Sequence, residues 1–173
     1  VILLRVALAL LVLGAVIPEL SRYVAERRLY RASAMIRSIL ANPRVVPDPV
    51  GAVTWASAMA AGLAADLPGD WRPLNLAGTG LLIIRKPDAA LARYLEGLAL
   101  GERPELAVNA GRAWAGLGRD DLARAAFLRA GWVSPGVLVS LSAATRDAIE
   151  REVKDMEDRL AGGHLPAPPA LPP

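Results

Sequence analysis

Two stretches of this chain repeat one spacing of small and aromatic residues at an offset of 33, and this constrains the fold more than any other feature. Over 104–135, Ala107, Gly111 and Trp114 step by 4 and 3, on one face of a first helix. Gly118 breaks that helix, and Arg119-Asp120-Asp121 follows. Ala123, Phe127 and Ala130 repeat the steps of 4 and 3 on a second helix, which Pro135 ends. The small residues at 111 and 123 let two helix backbones approach closely, and Trp114 and Phe127 fill the space between neighbouring pairs. In the upstream copy, Gly78, Leu81, Ala90, Tyr94 and Gly97 take the places of Gly111, Trp114, Ala123, Phe127 and Ala130. The turn of this weaker copy is Lys86-Pro87-Asp88, where Pro87 stops one helix and sits near the start of the next.

The order small-x2-aromatic, Gly, Ala-x3-aromatic-x2-Ala and terminal Pro resembles the tetratricopeptide (TPR) repeat family. The resemblance covers about 65 of the 173 residues. The upstream copy departs from it in having Leu81 where the aromatic belongs, and the offset is one short of the family's usual 34. The resemblance implies an all-α solenoid of helix pairs that binds other proteins and carries no chemistry of its own. In this family the concave groove is lined by certain positions of each first helix. They fall on Arg72, Asn75 and Thr79 in the first copy and on Glu105, Val108, Asn109 and Arg112 in the second. Arg72, Asn75, Asn109 and Arg112 suit the backbone or carboxylate of an extended peptide. The lysines of the family's carboxylate clamps are missing here, and the plainer reading of these positions is ordinary polar surface.

The rest of the chain is arranged around the repeats at 71–137. Residues 19–70 read as a helical linker or a degenerate helix pair: one helix over 19–41, ending before Asn42-Pro43, and an Ala-rich one opened by Asp48-Pro49 as cap and first residue. Over 138–161, Ile149, Val153, Met156 and Leu160 step by 4, 3 and 4 on an otherwise charged helix, which suits a solenoid cap. The tail, 162–173, is rich in Gly and Pro and predicts an extended polyproline form. Trp132 lies just past the second copy; it either packs on the cap helix at Ile149 or Val153 or offers an edge to a partner.

Residues 1–17 hold one charge, Arg5, and predict a transmembrane anchor (1–18) at the short end of the spanning range. A cleaved signal peptide is the rival, and no small-x-small site follows; a buried core helix is the other. Arg22, Arg27, Arg28 and Arg31 come next and suit anionic lipid headgroups. They also place the following domain in the cytoplasm by the positive-inside rule, whereas a short Arg-bearing start places it in the periplasm, the side favoured here. The expected fold class is therefore all-α, an N-terminal transmembrane helix followed by a short TPR-like solenoid with a C-terminal cap.

Catalytic material is scarce. There is no Cys and one His, His164, so no His/Cys metal set and no His-activated nucleophile is expected. Gly78-Thr79-Gly80 follows no strand and lacks the Lys of a phosphate loop. The net charge of +3 is mild and its basic residues cluster beside the apolar run, which speaks against nucleic acid. No enzyme activity and no cofactor are expected. The expected role is an accessory or assembly subunit of a bacterial inner-membrane complex, a bioenergetic one above all. The alternative is a membrane-tethered adaptor recruiting a soluble protein or peptide through the groove. The expected partners are other subunits of such a complex and the bilayer.

Overall fold

The chain is all-α. In the structure, a computed structural model describing residues 2–164 and 169–172, every regular element among the described residues is helical. Side chains are described for these residues except 2–4, 6–10, 12, 13, 15 and 45. The helices are α1 (Ile2–Ala41), α2 (Pro49–Asp66), α3 (Arg72–Ile83), α4 (Pro87–Ala99), α5 (Pro104–Gly116), α6 (Asp120–Val133) and α7 (Ala143–Ala161). Short 3-10 segments, Pro43–Val45 and Pro135–Ser140, precede α2 and α7. Each helix from α1 to α6 packs on the next, and α7 packs on α6 and the second 3-10 segment.

Local chemistry sets the helix ends. Pro stands at the start of α2, α3, α4 and α5, where its missing N–H is no loss. The Asp48 carboxylate accepts the Gly51 N–H at 2.8 Å and opens α2. Ser142 Oγ does the same for α7, accepting the Thr145 N–H at 3.3 Å. At the end of α5, Gly118 takes φ 70° and the Arg119 N–H reaches back to the Trp114 carbonyl at 2.9 Å. The equivalent turn after α3 repeats this geometry. Arg85 takes φ 58°, and the Lys86 N–H reaches the Leu81 carbonyl at 2.9 Å. A non-glycine in the left-handed region costs roughly 1–2 kcal/mol, so the surrounding helices hold Arg85 there.

Packing follows the repeat. A Cβ at Gly78 would lie 2.5 Å from the Tyr94 ring, and one at Gly111 would lie 2.5 Å from the Phe127 ring. Each glycine is thus the floor on which the aromatic of the paired helix rests. Tyr94, Trp114 and Phe127 are all buried, with Leu106, Leu138, Ile149 and Val153 in the same cluster. Between pairs, Gly97 receives Leu106. Ser57, on α2, lies against Gly80 and donates to the Ala77 carbonyl at 2.6 Å.

The second half of α1 and α2 form a further helix pair. Ala25, Leu29, Ala32, Ile36 and Ile39 step by 4, 3, 4 and 3 and are buried. The turn joining α1 to α2 covers 42–48, against 84–86 between α3 and α4. The longer turn defeats any search at a single offset. When the end of α1 is aligned with that of α3, Ile36 stands where Gly78 does. When the start of α2 is aligned with that of α4, Ala56 stands where Tyr94 does. Ile36 and Ala56 share one buried cluster. The large and small partners have exchanged helices.

The transmembrane anchor expected over 1–18 is corrected. Among the described residues, no helix is long and apolar enough to cross a membrane. The charge-free run 6–18 amounts to roughly 20 Å of helix, against a hydrocarbon core of about 30 Å. Arg5 bounds it on one side, Glu19 and Arg22 on the other. The boundary at 18 also disappears, because α1 runs unbroken through Pro18. Pro18 removes one backbone bond, to the Gly14 carbonyl, and the later part of α1 is held by packing on α2.

On the cap helix α7, Ile149 and Val153 are buried as expected, Met156 is half-buried, and Leu160 is 47% exposed. Leu160 lies about two turns beyond Val153, near the free end of the helix. The described part of the tail does not stand free: Leu171 packs against the main cluster and Pro172 is buried. The tail positions 165–168 and 173 lie outside the described residues.

Candidate interaction groove

Alternate helices α1, α3 and α5 present a polar seam built by the register of α3 and α5. Asn75 and Asn109 meet across the two helices, the Asn109 Nδ2 donating to Asn75 Oδ1 at 2.8 Å. Arg112, one turn on, donates to Asn109 Oδ1 at 2.6 Å and to Ser140 Oγ at 2.9 Å, and also to the Ser140 carbonyl. Burial lowers the Arg112 pKa from its ordinary value. Three bonds from its two terminal nitrogens thus run within the chain, and Arg112 brackets α5 to the second 3-10 segment. Thr79 donates to the Asn75 carbonyl at 2.8 Å and accepts from the Tyr94 hydroxyl at 3.4 Å.

Arg72 is exposed but engaged. It donates to the Asp70 carboxylate at 2.6 to 3.0 Å and reaches Glu26 of α1 at 3.5 Å. Burial works against the Asp70 carboxylate, yet hydrogen bonds from Arg72 outweigh it and leave the Asp70 pKa below its ordinary value. Glu105 is exposed at the start of α5. Val108 is corrected as a groove residue. It is 1% exposed and belongs to the core, because α5 is enclosed around most of its circumference, with Leu106, Ala107, Val108 and Ala110 all buried. Trp132 is half-buried and packs against the main cluster.

The open part of the seam lies between α1 and α3, where the sequence pattern named nothing on α1. A cleft of about 400 Å³ is floored by Leu29 and Leu76 and walled by Tyr30, Ser33, Asn75 and Thr79, with Arg72 and Glu26 at one end. The Asn75 amide spends its oxygen on Asn109, and among the described residues its Nδ2 donates to no protein acceptor. Tyr30 is 69% exposed at the rim, with the Arg37 guanidinium 5.9 Å from the centroid of its ring. The missed signal was the spacing of 25, 29, 32, 36 and 39, which fixes the buried side of α1 and so leaves 26, 30 and 33 beside α3.

Arg22, Arg27, Arg28 and Arg31 all lie on α1; Arg27, Arg28 and Arg22 are exposed, and Arg27 lies 5.8 Å from the centroid of the Tyr23 ring. Among the described residues no group of three His, Asp or Glu side chains is placed to hold a metal ion. Comparison with family models, with curated proteins and with solved structures found no match to this chain.

Tyr94 makes the seam sensitive to alkaline pH. Burial pushes its hydroxyl from 10.0 up to about 12, against smaller opposing effects of Thr79 and Arg112. The folded chain holds this proton more tightly than the unfolded chain. The stabilisation is therefore complete below about pH 10 and is lost as pH rises toward about 12. Melting temperature is expected to fall between about pH 10 and pH 12, and Tyr94→Phe should flatten that fall. An equal fall in the variant would place the alkaline sensitivity elsewhere.

Proposed function

We propose that this chain is a non-catalytic, tetratricopeptide-like interaction protein that holds an extended segment of another protein in the α1–α3 cleft. The repetition of helix lengths, glycine–aromatic contacts and turn geometry between α3–α4 and α5–α6 supports the family reading. The observation that carries the binding site is the pairing of an unspent Asn75 amide with an apolar floor and the exposed Tyr30 ring in one cleft. An amide of this kind reads peptide carbonyls, and an aromatic rim supplies contact area at low entropic cost. Arg112 and Asn109 serve as the frame rather than the contact, since their bonds close within the chain.

As an adaptor the chain would release its partner on dilution; as an accessory subunit of a membrane-associated complex it would keep a fixed ratio to it. The cleft favours the adaptor, because a single cleft of this size accommodates a short segment and not a broad subunit interface. The test is selection of peptides from a random library on the full chain. Selected peptides should lose binding at least tenfold on Ser33→Trp, which fills the cleft, and on Tyr30→Ser. Trp55→Ser, on the exposed side of α2, should leave binding unchanged. Peptides that bind all three variants alike would show that the cleft is not the site.

A further inference from the structure

The outer face of α1 is unaccounted for by the cleft. At 3.6 residues per turn, Leu20, Tyr23, Val24, Arg27 and Arg31 fall within an arc of about 100°. That arc lies roughly opposite the buried stripe of Ala25, Leu29, Ala32, Ile36 and Ile39. Leu20 is 59% exposed, Tyr23 56% and Val24 39%. The stripe continues toward the N-terminus through Val16 and Ile17, at 52% and 58% exposure. Single exposed apolar residues need no explanation, but a contiguous helical stripe marks a contact surface.

We infer that this face of α1 lies on an anionic lipid surface, in the plane of the headgroups and without crossing the bilayer. Charge selects this occupant. Arg27 and Arg31 stand on the stripe and Arg28 beside it, while Arg22 and Glu26 are turned toward each other and toward Asp70 and Arg72. A second copy of the chain on the same face would bring two such arginine clusters together, and like charges oppose that pairing. An anionic surface accepts them all. The remaining chemistry agrees. Tyr23 has an apolar ring and a polar tip, the side chain favoured at headgroup depth, and Arg27 already stacks on it at 5.8 Å. The charge-free run 6–18 is also shorter than a spanning segment.

The inference is independent of the peptide cleft, which opens on the α3 side of α1. Co-sedimentation of the full chain with phosphatidylcholine vesicles, with and without phosphatidylglycerol, tests it. The chain is expected to bind the anionic vesicles more tightly and to lose that preference as salt is raised. Arg27→Gln with Arg31→Gln should weaken binding to anionic vesicles about thirtyfold, a factor of about five for each arginine. Tyr23→Ser with Val24→Ser should weaken binding with the helical circular dichroism and melting unchanged, since neither side chain enters the core. Ser33→Trp should leave vesicle binding intact even where it abolishes peptide binding. Equal binding to neutral and anionic vesicles, or binding indifferent to the arginine pair, would assign the contact to the apolar run alone and overturn the inference. Binding to polyglutamate without binding to anionic vesicles would assign the face to an acidic protein and overturn it equally.

Discussion

Phe127→Ala is expected to lower the stability of the chain by about 3–5 kcal/mol, the range for truncating a buried aromatic. Phe127 is 7% exposed and rests its ring over Gly111 inside the main cluster. The loss exceeds that of the transferred atoms because both walls of the cavity are helix backbone or small residues. Gly111 and Ala123 have no side chain long enough to fill it. Urea unfolding followed by helical circular dichroism measures the effect. A drop below about 1 kcal/mol would mean that the ring is not a core element.

Gly111→Ala is expected to destabilise as well, although alanine is the better helix former by about 1 kcal/mol. The new Cβ would lie 2.5 Å from Phe127 Cε1 and 3.1 Å from the Ala123 carbonyl oxygen. The ring at 2.5 Å is enclosed and does not yield cheaply, whereas the carbonyl at 3.1 Å asks for a shift of only a few tenths of an ångström. Overpacking of this kind costs typically about 1–3 kcal/mol and should outweigh the propensity gain. The sign should reverse when the ring is gone. In the Phe127→Ala background, Gly111→Ala gains its helix propensity and refills part of the cavity, so the double variant should be more stable than Phe127→Ala alone. The first helix pair is the precedent, with Ile36 and Ala56 in the corresponding places. Two losses that simply add would refute the ring-on-glycine contact.

The repeat of glycine, small residue and aromatic made α3 to α6 readable from the sequence, because steric fit between two helix backbones leaves a fixed spacing of 4 and 3. The cap helix was readable in the same way at Ile149 and Val153. The first helix pair was legible only as two separate helices. Its large and small residues have changed sides and its turn is longer, so nothing in the local pattern ties it to the others. Of the positions assigned to the groove, Asn75, Thr79 and Asn109 fall together on the seam by register, whereas Val108 is buried. A polar or apolar residue type does not say which side of a helix wrapped by two neighbours stays open.

What the sequence determined by itself was therefore local: the capping residues, the break at Gly118, and the faces that must meet within a repeat. Each depends on contacts between segments close in the chain, where spacing and side-chain volume suffice. Tertiary structure decided the rest. It set Arg85 in a left-handed turn without glycine, spent Arg112 on Ser140 and Asn109, drew Leu171 onto the core, and joined 2–41 into one helix. It also opened a cleft between α1 and α3. Such outcomes depend on which helix lies beside which, and that is fixed by the summed burial of all pairs together rather than by any one segment's pattern.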